Sequence, residues 1–330
     1  MASTSIASHE KLVGFDLVQS HYKKVGDHEI RADFIIPHAE FTGKRPLIVR
    51  FHGGGLITGD SLSMEWFPQW LLDLAMKHNA VIATANYRLL PEATSLDVFE
   101  DVEDFWTWLH SLKVEELLSS CVNPTKLDLG RIITAGESAG GLLSVCLALA
   151  HPDEIRAATA SYPCLDLASA HFSTPKSVPL TDPPIPESLI DETLAQVKPG
   201  AIKSSALLPD RLNLMLAAIH YGRFTQVYER KVGSSHQRNL RYPLEKIDQP
   251  DAKIPRGGIA IIQGLQDDIV PAEGNQKFAE KARDVMKGKP SADKIILSLR
   301  EGAHGFDTMT RLEEEWMQEH LKAVVEAWLA

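Results

Sequence analysis

The chain has 330 residues, of which 44% are hydrophobic and 24% charged, and its formal net charge is -10 at pH 7. This composition is typical of a globular protein with one sizeable hydrophobic core. The acidic balance argues against nucleic acid and anionic membranes as partners, because both select clustered Lys and Arg. The three cysteines lack C-x-x-C spacing, which favours neither a disulfide framework nor a thiolate zinc site.

The first residues, MASTSIASHEKLVGF, lack the apolar segment of a secretory signal. No later apolar run reaches the length of a membrane span. We therefore expect a cytoplasmic protein without a membrane partner, and the sequence leaves homo-oligomer formation open.

Strand and helix patterns alternate along most of the chain. Residues 17–37 predict a hairpin that turns at Gly26 and Asp27, and residues 46–55 predict a short strand that runs into glycines. The other predicted strands lie at 80–88, 132–133, 155–163, 257–267 and 294–304, and helices lie at 63–78, 142–150 and 273–288. Such alternation predicts an α/β fold with a mostly parallel sheet and helices on both faces.

Two further helices are indicated by apolar stripes at helical spacing. The stripe of the first consists of Leu96, Phe99, Val102, Phe105, Trp106, Leu109 and Leu112. The second closes the chain at 310–330, with Leu312, Trp316, Leu321, Val324 and Trp328 on its inner face. Both stripes are expected to pack against the sheet.

One region, at roughly 166–254, interrupts the alternation. It is rich in proline, has helix-like pieces and contains no clear strand. We interpret it as a helical cap inserted into a single domain that spans residues 1–330, rather than as a second domain.

Ser138 lies in the sequence RIITAGESAGGLLSVCLALA, between an apolar strand pattern and an apolar helix pattern. A serine in a glycine-rich turn is ordinarily a helix N-cap. Here, however, strand, tight turn and helix follow one another as the G-x-S-x-G nucleophile elbow requires, with Gly136 and Gly140 leaving room for the turn. Ser138 is therefore a candidate nucleophile.

A serine nucleophile needs a base and an acid that orients the base. His304 directly follows the last predicted strand, and Asp267 and Asp268 follow the strand before it. Sites collect at this edge of open parallel sheets. The chain order Ser, Asp, His is that of α/β hydrolases, and the residues alone leave both carboxylates as candidates.

Three consecutive glycines in FHGGGLITG follow another strand. Their unobstructed backbone N–H groups can point at an oxyanion that forms on an attacked carbonyl. The rival interpretation, a phosphate loop, lacks the G-x-x-x-x-G-K-[ST] pattern. We interpret His52, which precedes the glycines, as a structural residue of the loop rather than as a base.

These motifs resemble the hormone-sensitive-lipase-like esterases of the α/β-hydrolase superfamily. The resemblance spans nearly the whole chain through HGGG at 52–55, NYRLLPE at 86–92, GESAGG at 136–141, GLQDDIVP at 264–271 and AHGF at 303–306. It implies an α/β-hydrolase fold and a cap built from residues 1–25 together with the insertion. It implies Ser138 as nucleophile, His304 as base and Asp267 as acid, with Asp268 as the fallback. The implied oxyanion donors are Ala139 and two of Gly53, Gly54 and Gly55.

The chain departs from the subfamily pattern in three places. Glu137 stands where Asp is frequent, Leu56 stands where an aromatic residue often follows the glycines, and the acid turn lacks an Asp-Pro-Leu string. These differences affect the assignment to a subfamily and leave the triad intact.

The resemblance implies a carboxylic ester hydrolase that acts on a small or medium-sized ester through an acyl-enzyme, with no metal and no organic cofactor. One alternative is a biosynthetic acyltransferase or cyclase, in which a nucleophile other than water resolves the same acyl-enzyme. Another is a small-molecule receptor of this fold, against which the retained His304 argues.

Overall fold

The structure, a computed structural model, describes residues 3–6, 10–232, 237–289 and 291–330, with the backbone alone for residues 3–6. Within these residues one sheet contains nine strands. In chain order they are β1 (Ser3–Ile6), β2 (Phe15–Val25), β3 (His28–Pro37), β4 (Arg45–Phe51), β5 (Val81–Ala85), β6 (Leu127–Gly136), β7 (Ala157–Ser161), β8 (Ile259–Gly264) and β9 (Ile295–Arg300).

The strands lie side by side in the order β1-β2-β3-β5-β4-β6-β7-β8-β9. The six strands from β5 to β9 in this order pair in parallel. The pairs β1·β2, β2·β3 and β3·β5 at the other edge are antiparallel. The predicted hairpin is confirmed, because Val25 pairs with His28 around the Gly26-Asp27 turn.

Helices cover both faces of the sheet. Those of the described residues are α1 (Gln69–His78), α2 (Ser95–Leu109), α3 (Leu112–Ser119), α4 (Ala139–Ala150), α5 (Ser188–Gln196), α6 (Leu212–His220), α7 (Phe224–Tyr228), α8 (Arg238–Arg241), α9 (Pro243–Ile247), α10 (Ala272–Val285) and α11 (Glu315–Leu329). The predicted α/β-hydrolase fold, a mostly parallel sheet between helices, is confirmed.

Alternation along the strands divides the apolar core into two layers. In β4, Leu47 and Val49 belong to the layer under α2, α4 and α10, whereas Ile48 belongs to the layer under α1 and α11. Strands β4, β5, β7 and β8 are buried along their whole length, which explains why they are mainly apolar runs in the sequence. None of the helices in the described part of the chain has the length and hydropathy needed to cross a bilayer.

Several predicted boundaries differ from the structure. Helix α1 begins at Gln69 rather than near residue 63, because the stretch before Pro68 forms turns. Leu112 does not extend the stripe of α2, since it starts α3 and is 74% exposed. In α11, Trp316 is only partly buried, and Met317 takes a place in the core instead.

The segment 1–25, assigned above to the cap, requires a correction. Residues 15–25 form β2, whose side chains alternate between the two core layers, with Leu17 on one face and Val18 on the other. This part of the segment therefore belongs to the central sheet. Residues 1–2 and 7–9 lie outside the described residues.

The region between β7 and β8 contains the helices α5 to α9 and no strand among its described residues, as its sequence predicts. Residues 233–236 of this insertion lie outside the described residues. Arg211, which precedes α6, forms an ion pair with Glu92 of the NYRLLPE motif, so the insertion is held against the sheet domain. That the insertion acts as a cap stays a prediction.

Candidate active site

Ser138 occupies a sharp turn between β6 and α4. Its backbone has φ 54° and ψ -118°, a conformation that costs a non-glycine residue about 1–3 kcal/mol and that clusters at functional sites. The flanking glycines are sterically required. A Cβ on Gly136 would lie 2.2 Å from the oxygen of Gly140, and a Cβ on Gly140 would lie 2.1 Å from the oxygen of Phe51.

The last residue of β7 and the segment after it hold this turn through backbone hydrogen bonds. The N–H of Ser138 donates to the carbonyl of Ser161 at 2.9 Å, and its carbonyl accepts the N–H of Cys164 at 3.4 Å. The Ser138 hydroxyl lies 3.9 Å from the Cys164 sulfur. Burial raises the pKa of the Cys164 thiol to about 12, so this thiol stays protonated and does not compete as a nucleophile.

Asp267 and His304 are joined by a hydrogen bond of 2.7 Å between Oδ2 and Nδ1. The Asp267 side chain is fully buried. Its Oδ1 accepts the N–H groups of Ile269 at 3.0 Å and Val270 at 2.8 Å, and its Oδ2 also accepts Gln263 Nε2 at 3.2 Å. Three donors besides His304 thus hold the carboxylate against the imidazole, while the neighbouring Asp268 is exposed to solvent.

Ser138 and His304 border the same cavity. Within the described residues the Ser138 hydroxyl makes no hydrogen bond to His304. The hydrogen-bonding partner of this hydroxyl is the Cys164 thiol. Contacts between nucleophile and base are often long in structures without substrate and shorten in the reacting complex. The ring of Tyr162 packs against the His304 ring with centroids 4.4 Å apart.

Part of the glycine loop lines the same cavity as Ser138 and His304. Among the described residues, the N–H groups of Gly53, Gly54 and Ala139 donate to no protein acceptor. Gly53 and Gly54 border the cavity, whereas Gly55 packs against α6, where a Cβ would lie 2.7 Å from Met215 Cγ. Of the three predicted glycine donors, Gly53 and Gly54 thus line the cavity and Gly55 is not among its lining residues, and the oxyanion role of all three stays a prediction.

His52 supports this loop from inside. Its Nδ1 lies 2.8 Å from the carbonyl of Gly53, and its ring stacks on Tyr87 with centroids 4.3 Å apart. Burial lowers the pKa of His52 to about 4. His52 is therefore neutral at physiological pH and holds the loop, in agreement with the structural role expected from the sequence.

A buried ion pair lies beneath the elbow. The carboxylate of Glu137 accepts Arg50 Nε at 2.9 Å and Nη2 at 2.8 Å, and the Arg50 guanidinium lies 3.7 Å from the ring centre of Phe67. Burial raises the pKa of Glu137, and the Arg50 charge opposes that rise. The residue that departs from the subfamily pattern thus ties the elbow to β4.

The cavity at Ser138 has a volume of about 350 Å³. Its apolar wall consists of Trp66, Leu212, Met215, Leu216 and Ile269. A wide surface groove of about 1090 Å³ also borders His304 and Ile269, together with Asp268. Of the residues lining that groove, Val178 is 72% exposed and Leu265 is 48% exposed.

Three residues near the site were not recognised from the sequence: Arg50, Tyr162 and Asp307. Arg50 did have a signal, since a charge inside the apolar strand PLIVRF demands a buried partner. Tyr162 and Asp307 had none, because their contact joins positions far apart in the chain.

Comparisons with known proteins identify the family to which the chain belongs. A family model of the alpha/beta hydrolase fold matches residues 48–209. The probable carboxylesterase M8 of Phoma sp. is 32% identical over 324 residues, which cover 94% of this chain and 95% of the relative. Human hormone-sensitive lipase is 34% identical over 158 residues, or 46% of this chain and 13% of the lipase.

Among solved structures, Thermogutta terrifontis esterase 2 phosphorylated by paraoxon is similar with a TM-score of 0.56. It is 17% identical, and the match covers 96% of this chain and 93% of that one. Fold and sequence together define an α/β hydrolase. Within that class the chain belongs to the hormone-sensitive-lipase-like carboxylesterases, and it is a carboxylic ester hydrolase. The predicted family and enzyme class are confirmed.

Proposed function

We propose that Ser138, His304 and Asp267 form a catalytic triad that cleaves a carboxylic ester through an acyl-enzyme. The observation that carries this proposal is the 2.7 Å hydrogen bond from His304 Nδ1 to a fully buried Asp267, on the same cavity as the strained Ser138. Asp267 keeps the proton on Nδ1, so that Nε2 is free to accept the Ser138 proton.

The reaction has two steps. In the first, Ser138 Oγ attacks the ester carbonyl as its proton passes to His304, and His304 returns that proton to the departing alkoxide. In the second, His304 takes a proton from water, hydroxide adds to the acyl-enzyme, and the carboxylic acid leaves as Ser138 is reprotonated. The N–H groups of Gly53, Gly54 and Ala139 stabilise the oxyanion of each tetrahedral intermediate.

The shape of the site favours a small or medium-sized acyl group. The acyl chain occupies the apolar cavity of about 350 Å³, which lies between Ser138 and the insertion helix α6. His304 must protonate the leaving alkoxide, so the alcohol part lies on the His304 side, where the open groove accepts a larger group. In this proposal the insertion acts as the cap, because Met215 and Leu216 limit the depth of the cavity.

The groove also supports a second candidate, an acyltransferase in which an alcohol enters the groove and resolves the acyl-enzyme. The two candidates differ in the product that they form. With a p-nitrophenyl ester and an added alcohol, a hydrolase releases mainly the free acid, whereas an acyltransferase releases mainly the new ester at millimolar alcohol.

Ser138→Ala tests the proposed triad directly. Because the side chain lies at a cavity-facing turn rather than in packing, we expect a folded protein whose turnover of p-nitrophenyl butyrate is at least about a thousandfold lower. Ser144→Ala is the matched control, since Ser144 lies in helix α4, which follows Ser138 directly, and its hydroxyl donates to the carbonyl of Thr159 at 3.0 Å. Activity of Ser138→Ala within tenfold of the parent would remove Ser138 from the mechanism.

A further inference from the structure

Asp307 lies three residues beyond His304 in the same loop and is fully buried. Its carboxylate accepts three side-chain hydrogen bonds. Oδ2 accepts Ser161 Oγ at 2.7 Å and Trp70 Nε1 at 2.9 Å, and Oδ1 accepts the Tyr162 hydroxyl at 2.9 Å. Nothing in the mechanism above uses this carboxylate.

Two of the three donors belong to the segment that brackets the nucleophile. Ser161 accepts the N–H of Ser138, and Cys164 donates to the Ser138 carbonyl. Tyr162 stands between them with φ 37°, a left-handed conformation that a residue with a large side chain rarely adopts. From this conformation its ring reaches His304, with centroids 4.4 Å apart, while its hydroxyl reaches Asp307.

The Tyr162 hydroxyl is a permanent donor in this arrangement. Burial raises the pKa of Tyr162 well above its usual range, and the negative charge of Asp307 adds to that rise. Tyr162 N–H is bonded to the carbonyl of Ile262 at 2.7 Å. The residue is thus fixed at its backbone and at its hydroxyl, and its ring has little freedom to leave the imidazole.

We propose that Asp307 and Tyr162 are positioning residues that fix the base His304 relative to the nucleophile Ser138. Asp307 ties the loop of the base to the segment that brackets the nucleophile, and the Tyr162 ring forms the wall against which the imidazole rests. This inference rests on the proposed triad. It assigns to the two residues an effect on the rate of the chemical step rather than on substrate binding.

Tyr162→Phe is the decisive variant, because it keeps the ring and removes only the hydroxyl that Asp307 holds. A base displaced by about 1 Å costs up to about a hundredfold in rate. We expect kcat for p-nitrophenyl butyrate to fall tenfold or more, with KM within about twofold of the parent. The thermal midpoint, measured alongside, shows that the variant is folded.

Trp70→Phe is the matched control. It removes a hydrogen bond to the same carboxylate from α1 and leaves the bonds that Ser161 and Tyr162 donate to Asp307 in place. We expect a lower thermal midpoint and a kcat within about twofold of the parent. A purely structural role for Asp307 predicts equal effects of both variants on kcat. Equal losses, or a Tyr162→Phe loss below fivefold, would overturn the proposal.

Asp307→Asn provides a second check through coupling with Tyr162→Phe. If Asp307 and Tyr162 position His304 through their shared hydrogen bond, kcat of the double variant falls no further than kcat of the worse single variant. A fold-loss in the double variant equal to the product of the two single fold-losses would contradict the proposal. Should Asp307→Asn fail to fold, the comparison of Tyr162→Phe with Trp70→Phe still decides. Full activity of Ser138→Ala would defeat the triad itself, whereas an inactive Ser138→Ala beside a fully active Tyr162→Phe would defeat only the positioning role.

Discussion

Replacement of Asp267 by Asn gives the sharpest test of the acid, because a second carboxylate follows it directly. In Asp267→Asn the amide oxygen can still accept the N–H groups of Ile269 and Val270. The amide NH₂ then faces His304 Nδ1 and forces that nitrogen to act as the acceptor. The ring proton moves to Nε2, where it blocks acceptance of the Ser138 proton.

The expected magnitude follows from this tautomer change. The wrong tautomer costs serine hydrolases on the order of 10⁴ in kcat, which corresponds to about 5.5 kcal/mol in the activation barrier. Asp268 is exposed, and an exposed substitution of this kind changes stability by less than about 0.5 kcal/mol. We therefore expect Asp268→Asn to keep kcat within about twofold.

Both variants are compared with the parent on p-nitrophenyl butyrate at saturating substrate, and urea unfolding confirms that both are folded. A large loss confined to Asp268→Asn would show that the wrong carboxylate is assigned. Mild and equal losses from both variants would mean that the orienting acid lies elsewhere in the chain.

Two further predictions concern pH and acyl-chain length. Burial lowers the pKa of His320 from 6.5 to about 4, so the unfolded chain binds a proton that the folded chain rejects, and stability falls as pH drops below about 6.5. Between pH 8 and pH 5, protonation of His320 in the unfolded chain lowers the free energy of unfolding by about 2 kcal/mol. In urea titrations, the free energy of unfolding of His320→Gln should therefore fall by about 2 kcal/mol less than that of the parent over this pH range. Equal falls in the two proteins would contradict the linkage. Met215→Ala deepens the cavity, so that longer acyl chains fit. Because each buried methylene contributes about 0.8 kcal/mol, we expect kcat/KM to rise about fourfold for each added acyl carbon, over two or three carbons beyond the acyl length that the parent prefers. Leu207→Ala, at a 61% exposed position of the same insertion, is the control, and an unchanged optimum in Met215→Ala would remove the insertion from acyl selection.

The sequence predicts the parts of the site that depend on local order. Ser138, Asp267 and His304 each follow a strand of the parallel part of the sheet, and parallel strands bring their carboxyl ends to one edge. The exposure of Asp268 follows from the same rule, because successive residues leaving a strand point in different directions.

Features that depend on distant contacts could not be predicted in this way. The Tyr162 hydroxyl bonds Asp307, 145 residues away in the chain, and no local pattern marks the φ of 37° at Tyr162. The resemblance assigns strand β2 to the cap, although the alternating pattern of its residues predicts a hairpin. For these residues the local alternation predicts the structure better than the resemblance does. A strand that buries side chains on both faces lies in a sheet that is covered on both sides.

The central claim is that the Ser138 hydroxyl is the nucleophile, and covalent trapping with paraoxon tests it most directly. Attack of Oγ forms a serine–phosphorus bond and expels one p-nitrophenolate. We expect one p-nitrophenolate per inactivated chain. Digestion with trypsin and fragmentation should then place one diethylphosphoryl group on Ser138 in the peptide 132–156, which also contains Ser144 as an internal control. Loss of activity with the group on another residue, or with no covalent group, would contradict the account.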